Sequence, residues 1–347
     1  MRSGCTDLIS VVIPFLDASA YLERCLQALC AGDDRGYELI LVDDGSTDAS
    51  PETARRFCDR VLRSATTRGP ASARNLGARE ARGEILFFID ADVLCLPNTL
   101  TVVRKAFAAD PGLAAVIGSY DDAPPEADFL SRYKNLTHHH VHQNAAPEAS
   151  TFWTGCGAVR RGIFLELGGF DESFHAPSIE DIELGYRMRA RGYRIALCKS
   201  LLVKHAKRWT MAGLLRSDVC GRAIPWTVLQ LTYGKILDDL NVSRTQRASS
   251  ALVCLAALLG VLGLWNWQFL IGIPIALLPV IVWNRHLYRM YHERGGAWFC
   301  ARATLMHWLY YLYSAVAFGI GCLKYLARPA SAKGIAGRRA GQDAGDP

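Results

Sequence analysis

Three carboxylate pairs mark the places where this 347-residue chain could do chemistry: Asp43-Asp44, Asp90 with Asp92, and Glu180-Asp181. Asp90 and Asp92 close the stretch GEILFFIDAD, in which the apolar run Ile85-Leu86-Phe87-Phe88-Ile89 ends abruptly in two acids one residue apart. So short a run of β-branched and aromatic residues predicts a strand buried on both faces, with the acids at its carboxyl end. Open α/β sheets bind ligands at that end, and two clustered carboxylates repel each other unless a cation offsets them. That combination points to a divalent metal carrying a phosphate ligand. The structural alternative is that Asp90 ends the strand and Asp92 caps the next helix. Asp43 and Asp44 follow the run ELILV and open onto a DGS turn, so they are also candidates for plain turn residues. Glu180 and Asp181 follow Ser178, which is placed to cap a helix running through Ile182 and Tyr186 to Gly192; helix capping and the macrodipole would then account for Asp181.

The elements that must position these acids alternate in type. Leu8–Ile13 reads as a strand closed by Pro14, and Ala18–Cys30 has helical spacing. Glu38–Val42 is a second strand, Ser50-Pro51 begins a helix well, and a third unit runs from Arg55 to Ser64. Arg68-Gly69-Pro70-Ala71-Ser72-Ala73-Arg74-Asn75 reads as a loop entering a helix that ends at Gly83, where the GEILFFIDAD strand begins. Strands alternating with helices predict an α/β fold with a doubly wound, mostly parallel sheet. There is no G-x-G-x-x-G after the first strand and no G-x-x-x-x-G-K-[ST], so dinucleotide and P-loop chemistry lose their main support. Residues from Asp121 to about Ser150 read as an irregular segment, and its tract His138, His139, His140 and His142 as a solvated loop rather than a metal site.

Four blocks in order, VVIPFLDASAYLERCLQAL, ELILVDDGSTD, ARNLGAREARGEILFFIDAD and IEDIELGYRMRARGY, resemble family 2 glycosyltransferases of the GT-A fold across roughly Leu8–His205. Asp17 departs from the asparagine common at that place in the family. The resemblance implies that Pro14, through its backbone, Asp17, Asp43 and Asp44 line a nucleotide pocket, a carboxylate being matched to an N–H donor of the base. It implies that Arg74 reaches phosphate oxygens, a guanidinium fork fitting that geometry, that Asp90 shapes the site and that Gly155 permits close backbone approach beneath the donor sugar. By the same resemblance Asp92 binds Mg²⁺ or Mn²⁺ bridging the diphosphate, His205 adds a metal ligand or phosphate contact, and Asp181 is the general base with Glu180 positioning acceptor or base. Trp153 stacks on a sugar or fills the core. The implied reaction is inverting, metal-dependent transfer of a sugar from a nucleotide-diphosphate sugar, a UDP-sugar by family frequency, to a lipid-linked or growing glycan acceptor. The rival readings are a catalytically silent membrane-bound sugar-nucleotide binder or assembly partner, and nucleotidyl transfer, which the lack of a glycine-rich nucleotidyltransferase loop disfavours.

Composition divides the chain. Charges are well distributed up to about Arg247, whereas Ser249–Trp283 holds no Lys, Arg, Asp or Glu, which is membrane material. We expect a catalytic domain at 1–207, interfacial helices at 208–247, a membrane region at 248–326 with a hairpin at 249–283 turning at Trp265-Asn266-Trp267 and a third segment at 303–323, then a basic tail at 327–347. Arg216 and Arg222 in the interfacial stretch could meet a lipid-linked phosphate or the donor diphosphate. The net charge of +6 with basic membrane flanks favours membrane lipids over nucleic acid as a partner. Eleven scattered cysteines without C-x-x-C pairs suit a reducing compartment, and MRSGCTDLIS lacks a signal-peptide core. The expected location is the inner (plasma) membrane, multi-pass, with the catalytic domain cytosolic.

Overall fold

The computed structural model describes residues 8–58, 60–64, 66–234 and 243–329. The expected basic tail, apart from its first residues, lies outside them. The strands are β1 (Ile9–Phe15), β2 (Tyr37–Asp43), β3 (Val61–Arg63), β4 (Ile85–Phe88), β5 (Val93–Cys95), β6 (Ala115–Tyr120), β7 (Glu148–Ala149), β8 (Gly157–Arg160) and β9 (Ile195–His205). Between and after them run helices α1 (Leu22–Cys30), α2 (Ser50–Arg55), α3 (Pro70–Glu80), α4 (Thr99–Ala109), α5 (Phe129–Asn144), α6 (Arg161–Glu166), α7 (Glu180–Ala190), α8 (Met211–Leu215), α9 (Ile224–Tyr233), α10 (Arg244–Leu262), α11 (Gly272–Trp283) and α12 (Arg285–Leu326). The chain groups into two units: one reaches to Ser131 and resumes over His142–Arg208, and the other holds Arg132–Val141 and the residues from Trp209 onward.

The first unit is built on one sheet of order β3-β2-β1-β4-β8-β6-β9-β5, with β7 on β9. The β3-β2-β1-β4 half is parallel, as alternation of strands and helices predicts. The expectation of a mostly parallel sheet fails in the other half. There β8 runs antiparallel to both β4 and β6, and β9 pairs parallel with β6 but antiparallel with β5 and β7. The sheet is mixed because β8, entering from a 3₁₀ turn at Thr154–Cys156, lies antiparallel between β4 and β6.

Both faces of the sheet are covered. On β1 and β4, Ile9, Val11, Ile13, Ile85 and Phe87, with Ile89 just past β4, pack into one apolar cluster, while Val12, Leu86 and Phe88 pack into the cluster on the opposite face. This is why the strand reads as a continuous rather than alternating apolar run. Gly77 lets α3 lie close on the sheet, since a Cβ there would stand 2.5 Å from Val12 Cγ1.

Two elements differ from expectation within 121–205. The histidine tract is helical, inside α5, and not an extended loop. Its start is signalled by Asp128, whose carboxylate accepts from the Ser131 amide at 3.0 Å, a local cap that outweighs the weak apolar periodicity beyond it. The final strand expected at Leu201–Val203 extends over Ile195–His205, because both ends pair with neighbours.

In the second unit the chain leaves α10 at Gly263 and passes through a 3₁₀ turn at Trp267–Ile271 into α11. The third apolar segment lies inside α12, which breaks at Gly296, where φ is 76°. Among the described residues α10 and α12 are long and apolar enough to cross a membrane. Leu258, Leu305, Val316 and Leu323 are exposed on these helices, a cost in water that a lipid surface removes.

Candidate active site

The acids gather at the carboxyl end of the parallel strands, each positioned by a backbone turn. Asp43 ends β2 and is buried; its Oδ1 accepts the Gly45 and Ser46 amides at 3.1 and 2.7 Å, and Arg63 lies 3.5 Å from Oδ2. Asp44, also buried, accepts the Arg68 amide at 3.1 Å and the Gly69 amide at 2.8 Å. Asp43 thus makes the turn expected of it, whereas Asp44 ties the end of β2 to the loop that starts α3, where Gly69 has φ +92° and a Cβ would strike His175. Asp17 follows β1 with φ 46°, a region asparagine and aspartate enter more readily than other residues, and its Oδ1 accepts the Thr47 amide at 2.8 Å. Pro14 is buried in β1 opposite Val42. Together these hold the mouth of β1 and β2 as one braced loop cluster.

Arg74, expected to reach phosphate oxygens, is engaged here by two carboxylates. It is 4 % exposed, with Nη1 donating to Glu180 Oε1 at 2.8 Å and Nη2 to Asp90 Oδ1 at 2.6 Å. Burial by itself would lower its pKa, but the carboxylates of Asp90 and Glu180, with Asp181 behind them, outweigh it and hold the guanidinium above its usual range. The fork therefore ties the end of β4 to the start of α7, with Arg74 reaching Glu180 across 106 residues of sequence. Beside it Asn75 donates to the Phe170 carbonyl at 2.8 Å and to Glu172 at 3.0 Å, bracing the segment before α7. Arg68 contributes its amide to Asp44, while its guanidinium stands 3.9 Å from Glu172.

Asp181 is not capped as Ser178 would predict: α7 begins at Glu180 after Ile179, without a side-chain cap. Instead the Asp181 carboxylate accepts the Thr154 amide at 3.1 Å and the Thr154 hydroxyl at 3.2 Å on Oδ2, and the Ile182 amide at 2.8 Å on Oδ1. Thr154 belongs to the 3₁₀ turn that feeds β8, so α7 and the turn orient this acid jointly. Gly155 follows, where a Cβ would meet the Trp153 indole at 2.5 Å, so glycine is what allows that ring to fold over the turn. Trp153 packs edge-on to Tyr120 at 4.9 Å and to His142 at 5.1 Å, which places it in the packing around β6.

Asp92 stands one turn beyond β4. Its Oδ1 is buried and has no hydrogen-bond partner; His205 Nε2 lies 3.6 Å from it, and Lys207 Nζ lies 3.9 Å from Oδ2. Burial would raise the Asp92 pKa, but the neighbouring His205 ring and the Lys207 ammonium outweigh it and hold the carboxyl below its usual range. The antiparallel register of β5 on β9, with Val93 opposite His205, brings these side chains together, and His205 is held flat against Tyr120 at 4.5 Å. A buried, unbonded carboxylate oxygen next to an imidazole fits a divalent cation of the Mg²⁺ or Mn²⁺ type. Among the described residues no group of three or more His, Cys, Asp or Glu converges, so the remaining positions would fall to water and ligand oxygens.

Sequence reasoning missed Thr154, Lys207 and Tyr120. Lys207 lies two residues past His205, spacing that puts both side chains on one side of an extended segment, and this signal was available in VKHAKRW. Tyr120 and Thr154 carried none.

Residues 10–168 match the family described as Glycosyl transferase family 2. The chain is 31% identical over 219 residues to a validoxylamine A glucosyltransferase of Streptomyces hygroscopicus, covering 53% of this chain and 52% of the relative. It is 29% identical over 211 residues to the pre-mycofactocin glycosyltransferase of Mycobacterium tuberculosis, covering 58% of this chain and 43% of the relative. The chain thus spans about half the length of the curated relatives it matches. Among solved structures it superposes on a mannosyltransferase from Pyrobaculum calidifontis, determined with GDP-Man and Mn²⁺, at a TM-score of 0.50 and 20% identity over 92% of this chain and 87% of that one. That likeness shows the fold.

Proposed function

We infer that this chain, which carries a family 2 glycosyltransferase domain over residues 10–168, transfers a sugar with inversion from a nucleoside-diphosphate sugar to an acceptor hydroxyl at the cytosolic face of a membrane. The observation that carries the reading is the Arg74 fork. It couples the strand end bearing Asp90 and Asp92 to the helix start bearing Glu180 and Asp181, so the leaving-group side and the acceptor side are held by one guanidinium. In-line displacement needs both at once, a charge sink for the departing diphosphate and a base for the attacking hydroxyl. Asp181, oriented by Thr154, takes the acceptor proton. Glu180 positions it through Arg74. Asp43, Asp44 and Asp17 form the braced mouth that receives the nucleoside, and a UDP-sugar suits the carboxylate-to-imide pairing. Asp92 and His205 would hold Mg²⁺ or Mn²⁺, which supplies Lewis-acid charge to the leaving diphosphate. The apolar helices α10 and α12 seat the chain in the bilayer, and the acceptor is a lipid-linked or growing glycan.

The test is release of nucleoside diphosphate by the full chain in membranes, offered a panel of sugar nucleotides. Asp92→Asn should reduce release by about 100-fold or more, within the range by which charge stabilisation of this kind acts, and chelator should do the same. Release indifferent to both would overturn the metal role. Binding of a sugar nucleotide with no release from any donor would favour the silent binder.

A further inference from the structure

Asp92 is faced by two basic side chains that are held very differently. The His205 side chain is 10 % exposed and lies flat against Tyr120 at 4.5 Å, so its ring stays beside Oδ1. The Lys207 side chain is 44 % exposed, and its Nζ stands 3.9 Å from Oδ2, a charge contact beyond hydrogen-bond reach. The backbone nevertheless fixes where this lysine starts from: the Ala206 amide donates to the Asp92 carbonyl at 2.8 Å, and Ala206 is buried. Lys207 is thus a flexible four-carbon stem on an anchored base, able to move its ammonium without leaving the Asp92 end of the site. The charge pattern gives that motion a purpose. Asp90, Asp92, Glu180 and Asp181 already make the site acidic, and a diphosphate adds to it. Arg74 commits both terminal nitrogens to Asp90 and Glu180, and the Arg68 guanidinium stands by Glu172 at 3.9 Å. Lys207, by contrast, lies beside the carboxylate where a cation would sit. An ammonium there opposes a dication while no donor is present, by like-charge repulsion, and attracts a diphosphate once one shares the dication.

We propose, on the sugar-nucleotide reading above, that Lys207 is an exchangeable counter-charge: it attends Asp92 in the empty site and turns to the diphosphate when a donor and its cation enter together. His205, held by Tyr120, keeps its place at Asp92 through the exchange. The consequence is a coupling between the two ligands. Lys207 weakens the hold of Asp92 on a cation that arrives alone and strengthens the hold on a diphosphate that arrives with one, so each ligand favours the other.

The experiment uses the full chain in detergent and reads binding, not turnover. Mn²⁺ uptake without any nucleotide is followed by the electron paramagnetic resonance of free Mn²⁺. Lys207→Met should tighten it by about threefold, the scale of a half-exposed ion pair. Binding of UDP, GDP and dTDP at saturating Mn²⁺ is then followed by calorimetry. The tightest of the three should bind Lys207→Met more weakly by about tenfold or more, the scale of a hydrogen bond to a charged group. Lys207→Arg, which keeps the charge, should fall between parent and methionine variant in both measurements, and Asp92→Asn should lose the Mn²⁺ uptake. A lysine with a merely structural task would shift both affinities in the same direction. Shifts of the same sign, either affinity left unchanged by Lys207→Met, or Mn²⁺ uptake that survives Asp92→Asn would each overturn the proposal. A parent that binds none of the three diphosphates would sink the sugar-nucleotide reading itself, whereas a parent that binds one no better than Lys207→Met does sinks the role of Lys207 alone.

Discussion

Replacing Arg74 with methionine is the sharpest perturbation the structure offers. The substitution keeps most of the apolar stem but removes the two donors that reach Glu180 at 2.8 Å and Asp90 at 2.6 Å. Glu180 is 3 % exposed and would keep the Ser178 amide while losing its counter-charge; Asp90 is open enough for water to compensate in part. Hydrogen bonds to charged groups contribute about 1.5–3 kcal/mol each. Removing one partner of a buried ion pair costs about 3–5 kcal/mol. With Asp90 partly hydrated, about 3–5 kcal/mol is the expected destabilisation of the sheet-bearing unit. At about 2–4 °C per kcal/mol for a unit of this size, thermal unfolding of the full chain in detergent should fall by roughly 6–20 °C. Glu180→Gln should cost less, since the amide oxygen still accepts. The double variant Arg74→Met with Glu180→Gln should be milder than the sum of the singles by more than about 1 kcal/mol, because the stranded buried charge is gone. Arg74→Lys should fall between, keeping charge without the fork. A methionine variant that melts within about 3 °C of the parent, or strictly additive singles, would refute the idea that this guanidinium holds the strand end to the helix.

Two further outcomes follow from the same geometry. Thr154→Val keeps the amide donor to Asp181 but removes the hydroxyl at 3.2 Å, so kcat should fall about tenfold with the donor KM unchanged, and Thr154→Ser should restore it; steady-state kinetics showing a KM effect alone would assign Thr154 to binding. Glu38 accepts the Arg82 amide at 2.6 Å, the Gly83 amide at 3.1 Å and the Ser10 hydroxyl at 2.5 Å. Burial would raise its pKa, but these donors and the Arg82 guanidinium hold it below the ordinary glutamate value of 4.5. A depressed folded pKa contributes stability above the unfolded value that is lost as pH falls through the folded one. The parent should therefore exceed Glu38→Gln in melting temperature at neutral pH, and the gap should close below about pH 4.5; a gap constant with pH in melting curves would count against it.

Much of this site was legible one segment at a time. The acid pairs, the buried β4 run and the apolar lengths of α10 to α12 are written in neighbouring residues, where period, propensity and turn chemistry act, whereas α3 starts at Pro70, inside the stretch Arg68 to Asn75 that reads as loop. The helical histidine tract was misread because its apolar spacing is weak and its cap at Asp128 went unnoticed. The half-antiparallel sheet was misread because strand direction depends on which edge a chain returns to, and no local pattern records that.

What the sequence settled by itself is the set of chemical groups and the short elements carrying them, because each depends on interactions a few residues long. Only the tertiary structure decided what those groups are for one another. Arg74 turns from a phosphate candidate into the bond between Asp90 and Glu180, Thr154 comes to orient Asp181, and β5 against β9 sets His205 and Lys207 beside the unpartnered oxygen of Asp92. The physical reason is that burial and charge pairing are properties of three-dimensional neighbourhoods. A buried carboxylate must find its counter-charge among whatever the packed sheet brings near, however distant in sequence.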